Sequence, residues 1–428
     1  MDLIKLAGIF LVIIVLINVK IPRFNIKFTL SSAVAVGAVL GCIFYNFGFV
    51  PSVKLAFGAV FNKTTILLIL VTYLITFLQR MLEQRGALMN AQRALSGIFN
   101  SRRVNASVAP IFIGLLPSAA AAFIAGDMVK GATDGYLDKD EQAFVTSYYR
   151  HIPESCLPTY SSIILACTLS GVNIGSFLLS MIIPVILLVI LGYAFYLRKV
   201  PKDTGFPPTE NKGAEWVKLF KSLWTLLLAI ALVIAVPYIP FGKLSFLPDG
   251  VVSFLGGFPV WMAVIISIVL YFFIGKFKFK DVRPYFLSAL ERRIVLNTCV
   301  VMIFKEVLTQ SNVITQLTEA LSSLPIPLFL TFALIFLLGT IVSGSTAIIT
   351  LCTAPAFAAI PDGGVALFML LMCSSYAAMQ VSPTHICLTL ISEYFQSDFG
   401  AIVKKTLPII SIFMVFIIGY YLLLNLVL

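Results

Sequence analysis

The stretch RHIPESCLPT, residues 150–159, interrupts an apolar segment that extends over about residues 142–168. Pro153 and Pro158 lack a backbone N–H and clash with the preceding helical turn, so a regular helix is broken here. The stretch also carries ionisable side chains, which are costly inside a membrane and mark functional sites there. It therefore predicts a broken helix with a polar site at the break.

A second stretch, QVSPTH at residues 380–385, interrupts the apolar segment of about residues 364–395 in the same manner. Both segments are longer than the roughly 20 residues that a straight membrane-spanning helix needs. The chain has two histidines, and both of them, His151 and His385, lie in these interruptions. We therefore expect the two broken helices to place their breaks at similar depths.

The composition is that of an all-α polytopic membrane protein. Of the 428 residues, 60% are hydrophobic and 11% are charged, and the mean hydropathy is +1.02. Apolar runs of about 18 or more residues indicate membrane spans. The net charge of +11 resides in short loops between these runs, which is typical of topology determinants and argues against a nucleic-acid partner. The seven cysteines lie in apolar stretches without CxxC spacing, which favours packing roles.

The second half of the chain repeats the first half. Internal repeats with Gly- or Pro-interrupted segments at equivalent places are typical of secondary transporters, whose binding site lies between the repeats. The matched residues include Leu82 and Leu308, Gln84 and Gln310, Gly114 and Gly339, Ser118 and Ser343, Pro153 and Pro383, and Thr159 and Thr389.

The basic loops sort to one side of the membrane if two segments are re-entrant hairpins, at about residues 107–130 and 327–360. Each half then has five crossings and one hairpin, and the odd number of crossings inverts the second half relative to the first. The positive-inside rule places the basic side in the cytoplasm and both termini outside. The predicted organisation is a first inverted repeat at residues 1–197, a cytoplasmic linker at 198–218 and a second inverted repeat at 219–428.

The hairpin tips and the helix breaks supply the candidate binding residues. Broken helices expose N–H groups that favour anions, while freed carbonyls and hydroxyls ligate Na⁺. The candidate substrate-binding residues are Pro117, Ser118, Ala119, Arg150, Ser155, Ser343, Gly344, Ser345, Thr346, Thr384 and His385. The candidate ion-coupling residues are Ser118, Glu154, Thr159, Ser345, Thr346 and Ser382.

Structural roles stay open for both groups of residues. Serine and threonine at the tips are also common at tight helix contacts in membranes. Glu154 is suited to ligate a cation or carry a proton, and Arg150 to meet a substrate carboxylate. Alternatively, Glu154 pairs with Arg150 or His151, or with loop groups near the cytoplasmic surface. His385 is suited to donate a hydrogen bond to the substrate or to titrate.

Two repeats, each with a hairpin followed by a proline-broken helix, resemble the ion transporter superfamily. That group includes the divalent-anion/sodium symporters, the gluconate permeases and the membrane subunits of TRAP transporters. Within it, the chain most resembles an uncharacterised prokaryotic integral-membrane family, of the domain-of-unknown-function 401 type, over essentially its whole length. The segments that carry the resemblance are Gly114–Asp127, His151–Pro158, Ser343–Pro355 and Val381–His385.

The resemblance implies a scaffold domain that dimerises and a transport domain that moves like an elevator in the prokaryotic cytoplasmic membrane. Substrate and Na⁺ would bind at the tips and breaks. The symporters carry Ser-Asn-Thr at both tips, whereas this chain has Pro-Ser-Ala at residues 117–119 and Ser-Gly-Ser-Thr at residues 343–346. The substrate and the number of Na⁺ sites of the symporters therefore cannot be transferred to this chain.

We expect an ion-coupled secondary transporter of a small anion, with Na⁺ as the first choice of coupling ion and a carboxylate as the first choice of substrate. We expect a homodimer in the lipid bilayer that needs no cofactor and is not an enzyme. The first alternative is a cation/proton antiporter with Glu154 and Asp127 as the exchanging acids. A remote alternative is an intramembrane enzyme that uses His151, Glu154 and His385, for which no catalytic motif fits.

Overall fold

The computed structural model describes the chain apart from residues 1, 19, 22–25, 28, 116–119, 159, 205–210, 237–259, 324, 384 and 428. The described residues form twenty-one α-helices and one antiparallel pair of two-residue strands, Lys20–Ile21 with Ile26–Lys27. The helices are α1 Asp2–Asn18, α2 Leu30–Phe44, α3 Phe49–Val60, α4 Lys63–Gln84, α5 Ala87–Phe99, α6 Arg102–Ile113, α7 Ala120–Thr133, α8 Lys139–His151, α9 Ser161–Ser170, α10 Ile174–Ser180, α11 Ile182–Phe195, α12 Lys212–Ala235, α13 Val260–Ile274, α14 Phe279–Ser288, α15 Arg292–Gln310, α16 Val313–Ser322, α17 Leu328–Ser343, α18 Ser345–Ala359, α19 Gly364–Met379, α20 Ile386–Phe395 and α21 Phe399–Val427. The helical class is therefore confirmed.

Five helical stretches are long and apolar enough to cross a membrane: α4, α10 with α11, α12, α19 with the turn before it, and α21. Seven shorter apolar helices accompany them. Large apolar side chains on the outer surface, such as Ile190 at 54% and Val415 at 71% exposure, suit contact with lipid better than contact with water. The chain is therefore a membrane protein.

Both predicted helix breaks are present. Helix α8 ends at His151, a 3-10 turn follows at Pro153–Ser155, and α9 begins at Ser161. Helix α19 ends at Met379, and α20 begins at Ile386. Pro153 accounts for the first break because it cannot donate the backbone hydrogen bond that would continue α8.

Helix α12 begins at Lys212, so the last seven residues of the predicted linker, 212–218, are helical. The Asn211 side chain caps this helix by accepting a hydrogen bond from the Ala214 N–H. A short 3-10 turn at Leu197–Lys199 occupies the start of the predicted linker. The end of the predicted linker is therefore part of α12.

Two pairs of consecutive helices pack on each other, α6 with α7 and α17 with α18. These pairs coincide with the segments predicted as hairpins, although α6 begins earlier, at Arg102. In the second pair, Gly339 lies so close to Ile348 that an added Cβ would collide with its side chain. These two residues are nearly equidistant from Gly344, so the chain reverses there. Gly344 has a φ of +86°, a conformation that other residues rarely adopt.

The two halves pack reciprocally. Helix α7 of the first half lies on α20 of the second, and α18 of the second half lies on α9 of the first. The same exchange joins α2 with α15 and α13 with α4. At the centre, α19 is buried along nearly its whole length, with every residue from Ala366 to Met379 buried. The breaks after α8 and α19 thus lie within a core to which both halves contribute.

Candidate functional site

The two helix breaks meet at the histidines. The Nε2 atoms of His151 and His385 lie 2.9 Å apart, and the ring centroids are 4.6 Å apart with the planes at 75°. His151 is fully buried. Residues 234 positions apart in sequence are therefore in direct contact, so the similar depth that we expected from the sequence is accompanied by a hydrogen-bonding distance.

Neighbouring groups fix the role of each nitrogen of His151. Its Nδ1 lies 2.6 Å from the Ser147 carbonyl oxygen, which can only accept, so Nδ1 carries the proton. In the neutral ring, Nε2 is then an acceptor. Arg150 Nη1 lies 2.9 Å from this Nε2, as does His385 Nε2. The single lone pair of His151 is thus shared between a guanidinium and a second imidazole.

Arg150 is 2% exposed, so its charge lies inside the protein. This contact with His151 is not the pairing with Glu154 that the structural alternative proposed. The position is not one at the protein surface either, because both side chains are buried. A buried cation next to an uncharged hydrogen-bond acceptor is well placed to attract an anion.

The first helix pair touches the break closely. Gly114, at the end of α6, lies against the Arg150 carbonyl, which an added Cβ would strike. Its backbone is in the ordinary right-handed helical region, so the close approach, and not its dihedral angles, calls for glycine. The Tyr160 hydroxyl donates to the Gly114 carbonyl. The end of α6 thus contacts both sides of the break after α8, with a hydrogen bond on the Tyr160 side.

The second helix pair touches the second break in a comparable way. Ser382 Oγ donates to the carbonyls of Ile341 at 2.9 Å and Thr340 at 3.2 Å, near the end of α17. Thr340 Oγ1 and Ser375 Oγ are 3.1 Å apart. Ser343 Oγ, at the end of α17, is buried and has no hydrogen-bond partner in the part of the chain that the structure describes. A buried hydroxyl without a partner is unusual and is available to a ligand.

A small cavity lies between these elements, with a volume of about 10 Å³ open to a water-sized molecule. Glu154 and Ser155 line it from the first break, and Ser345 lines it from the start of α18. Ser375 and Tyr376 of α19 close another wall. Three of the predicted site residues, from both halves of the chain, therefore line one cavity.

The other predicted residues divide into two groups. Thr346 is exposed at the start of α18, and Gly344 forms the reversal between α17 and α18. Pro117, Ser118, Ala119, Thr159 and Thr384 lie outside the described residues. The predicted approach of Ser118 to Ser343 therefore stays a prediction.

Four polar residues at the site were not among the predicted ones: Ser147, Tyr160, Ser375 and Gln380. Gln380 accepts from Ser147 Oγ at 3.3 Å, which joins α8 to the end of α19. Its Nε2 is buried and, among the described residues, has no acceptor. The position of Gln380 directly before the second break was the one signal that pointed to it.

His151, His385 and Cys387 place their ligand atoms within 4.8 Å of one another. Two imidazoles and a thiolate suit Zn²⁺. Arg150 Nη1, however, stands 2.9 Å from the His151 nitrogen that would bind the metal. A guanidinium in that position repels a divalent cation, so these residues fit an anion better than a metal ion.

Ion pairs hold the far end of α8. Lys405 Nζ lies 3.0 Å from Asp138 Oδ2, and Lys199 Nζ lies 2.6 Å from Glu141 Oε1. Asp138 also caps α8 in a reciprocal capping box with Glu141. Burial alone would raise the pKa of Asp138, but hydrogen bonds from the Glu141 N–H and from Lys405 lower it below its ordinary value. These contacts fix the helix that carries Arg150.

Comparison with known proteins gives a family and no function. A search among curated proteins found no match. Residues 3–424 match the model of a family described as a protein of unknown function, DUF401. Because the match covers nearly the whole chain, the protein belongs to the DUF401 family.

Proposed function

We propose that the protein is an ion-coupled secondary transporter of a small anion, and that the anion is a carboxylate. The observation that carries the proposal is the meeting of two helix breaks, one from each half, at Arg150, His151 and His385. Irregular backbone and ionisable groups inside a membrane protein are tolerated where they line a binding cavity. Neither the folding of a soluble bundle nor that of a purely structural one requires a buried cluster of an arginine and two histidines.

The anion binds between Arg150 and the hydroxyls on either side of the reversal from α17 to α18. Arg150 supplies a charge that is already desolvated, and Ser343 supplies a buried hydroxyl without a described partner. Glu154, which lines the cavity, provides a carboxylate for the coupling cation. A bound Na⁺ beside Glu154 would offset the negative charge that the substrate brings, so the two ligands bind cooperatively.

The helix pairs α6–α7 and α17–α18 act as re-entrant hairpins of two inverted repeats. Each pair contacts the break in its own half, and each returning arm packs on the other half. The central helices move as one body past a scaffold that forms a homodimer, which exposes the site alternately to each side. This elevator-type model follows the superfamily resemblance, whose repeat arrangement suits alternating access.

A second candidate function is cation/proton antiport. Glu154 favours it, because a carboxylate that lines a cavity within the core can exchange a proton for a cation. The antiporter would move protons against Na⁺ or K⁺ in proteoliposomes without any organic anion. The anion transporter would require the anion.

The first experiment is a thermal-unfolding screen with gluconate, succinate, pyruvate and sulfate, each in sodium chloride and in choline chloride. Ligands stabilise the state that binds them, so a substrate should raise the unfolding temperature, and more so with Na⁺. Uptake of the stabilising anion into proteoliposomes is then measured with Arg150→Gln. Arg80→Gln, which removes an ion pair with Glu291 elsewhere, serves as the matched control. Equal uptake by both variants would contradict the assigned role of Arg150.

The proposed orientation has a separate test. None of the seven native cysteines is exposed, so the background of thiol labelling in intact cells should be low. A cysteine placed at Lys202, in the connection between the halves, should resist an impermeant thiol reagent applied from outside. Labelling of that position in intact cells would place the connection outside and overturn the hairpin assignment with it.

A further inference from the structure

The turn and helix that follow α13 concentrate positive charge. Lys276, Lys278, Lys280 and Arg283 fall within eight residues, and all four side chains are exposed. In the described part of the chain, none of the four forms an ion pair. The one acid among them, Asp281, accepts the backbone N–H of Lys278 at 3.3 Å. We call residues 276–288 the basic turn–helix.

The exposed face of α14 mixes these cations with apolar side chains. Phe279 is 73% exposed and Leu287 is 70% exposed. Val282, on the opposite face, is buried against the bundle. Helical spacing places Lys280 and Arg283 on the same exposed arc as Phe279 and Leu287. This arrangement is typical of a helix that lies at the level of lipid headgroups, with its apolar residues at the acyl-chain boundary.

The first half contains a counterpart with the same local structure. Asn46 and Lys276, in the turns before α3 and α14, both have a left-handed backbone, with φ of 55° and 49°. Each helix begins three residues later with a highly exposed phenylalanine, Phe49 at 83% and Phe279 at 73%. The two segments are therefore the same structural unit in the two halves.

The counterpart lacks the charges at the matching positions, and its one cation is the exposed Lys54. The positions that match Lys276, Lys278, Lys280 and Arg283 are Asn46, Gly48, Val50 and Val53. The unit thus folds without cations at these positions, so folding does not account for them. Membrane topology favours basic residues on one side. It does not require them on the exposed arc of an ordered helix beside two protruding apolar side chains.

We propose that the basic turn–helix is a binding surface for the headgroups of anionic phospholipids. The ammonium groups and the guanidinium of Arg283 bind the lipid phosphate, as charged donors do. Phe279 and Leu287 insert beside the acyl chains. Clusters of basic residues on an amphipathic helix at a membrane surface bind acidic lipids in this way. The surface does not depend on what the protein transports.

The test measures lipid binding to the purified full-length protein by native mass spectrometry, with phosphatidylglycerol and phosphatidylcholine as the two probes. The variant Lys278→Gln/Lys280→Gln/Arg283→Gln should bind phosphatidylglycerol at least about tenfold more weakly, with phosphatidylcholine binding unchanged. The variant Lys278→Arg/Lys280→Arg/Arg283→Lys keeps the charge and should bind as wild type does.

A second variant removes the same number of exposed positive charges from other segments. The substitutions Lys130→Gln, Lys212→Gln and Lys221→Gln should leave phosphatidylglycerol binding within about twofold of wild type. An equal loss of phosphatidylglycerol binding in the two Lys/Arg→Gln variants would overturn the proposal, because it would indicate a response to net charge alone. Unchanged binding in the first variant would overturn it as well.

Competition with inorganic phosphate separates a lipid site from a site for a soluble anion. Phosphate should not displace phosphatidylglycerol, because it lacks the acyl chains that Phe279 and Leu287 contact; full displacement would contradict the lipid assignment. If the triple variant does not fold, the single variants Lys280→Gln and Arg283→Gln take its place. Each should then weaken phosphatidylglycerol binding severalfold, and no loss in either would refute the proposal.

Discussion

Gly114 offers the sharpest test of how the first helix pair is joined to the site. It lies at the end of α6 against the backbone carbonyl of Arg150, and its own carbonyl accepts from Tyr160. A Cβ on Gly114 would strike the Arg150 carbonyl oxygen and would stand 3.0 Å from the carbonyl carbon. The obstacle is backbone and cannot rotate away. Gly114→Ala should therefore force α6 and the break after α8 apart.

The expected magnitude follows from two terms. Forcing a methyl group into a well-packed core costs about 1–3 kcal/mol. Separation of the elements also weakens the hydrogen bond from Tyr160, which contributes about 1 kcal/mol. Gly114→Ala should thus lower the free energy of unfolding by about 2–4 kcal/mol. The backbone of Gly114 is right-handed helical, so no gain or loss from unusual dihedral angles enters the sum.

Gly131 provides a matched control in the same helix pair. It lies in α7 with nothing within 4 Å of an added Cβ, so Gly131→Ala should be neutral or stabilise by up to about 1 kcal/mol. Unfolding of both variants is followed in detergent micelles by helical circular dichroism. A double-mutant cycle with Tyr160→Phe should show coupling, because the two changes disturb one contact. If Gly114→Ala is as stable as Gly131→Ala, the proposed packing of α6 against the break is wrong.

Three further substitutions test other parts of the molecule. Glu154→Gln should abolish or uncouple transport in proteoliposomes while the protein stays folded, and normal transport across pH would assign the residue a structural role. Ser343→Ala should change the free energy of unfolding by less than about 0.5 kcal/mol, because its hydroxyl has no partner among the described residues. Ser382→Ala should lower the free energy of unfolding by about 1–2 kcal/mol, because it removes a hydrogen bond to the end of α17. A large loss with Ser343→Ala would contradict this reasoning. Asp138 has a lowered pKa, so its stabilising effect is present above the ordinary value of 3.8 and is lost as the pH falls through the lower folded value. Asp138→Asn should accordingly make acid unfolding below about pH 4 less steep, and an unchanged profile would refute the role of the Lys405 pair.

The sequence indicated the features that depend on local chemistry. Pro153 predicted the end of α8, which the structure places two residues earlier, at His151. The two histidines, which the sequence placed in breaks at similar depths, are in contact. The effects of a proline in a helix and of a charge in a membrane follow from the residue type itself, so a single sequence is enough to predict them.

Residues whose role depends on a neighbour distant in sequence were not predicted. Tyr160 looked like one more aromatic residue in an apolar segment, yet its hydroxyl bonds to Gly114, 46 positions away. Ser375 and Tyr376 lie in a helix that is apolar overall and become site residues because the first break is packed against them. Such pairings depend on tertiary contacts, which the periodicity and composition of the sequence do not reveal.

The reciprocal packing of the halves has a consequence for how the protein is made. Helix α7 finds its partner only when α20 has been synthesised, and α20 ends 262 residues after α7. At a synthesis rate of about 5–20 residues per second, the wait is about 13–50 s. During that time the His151 side chain has no His385 to contact. The nascent first half must therefore be sheltered, in the translocation channel or by an insertion chaperone, and truncation before residue 386 should send it to membrane proteases.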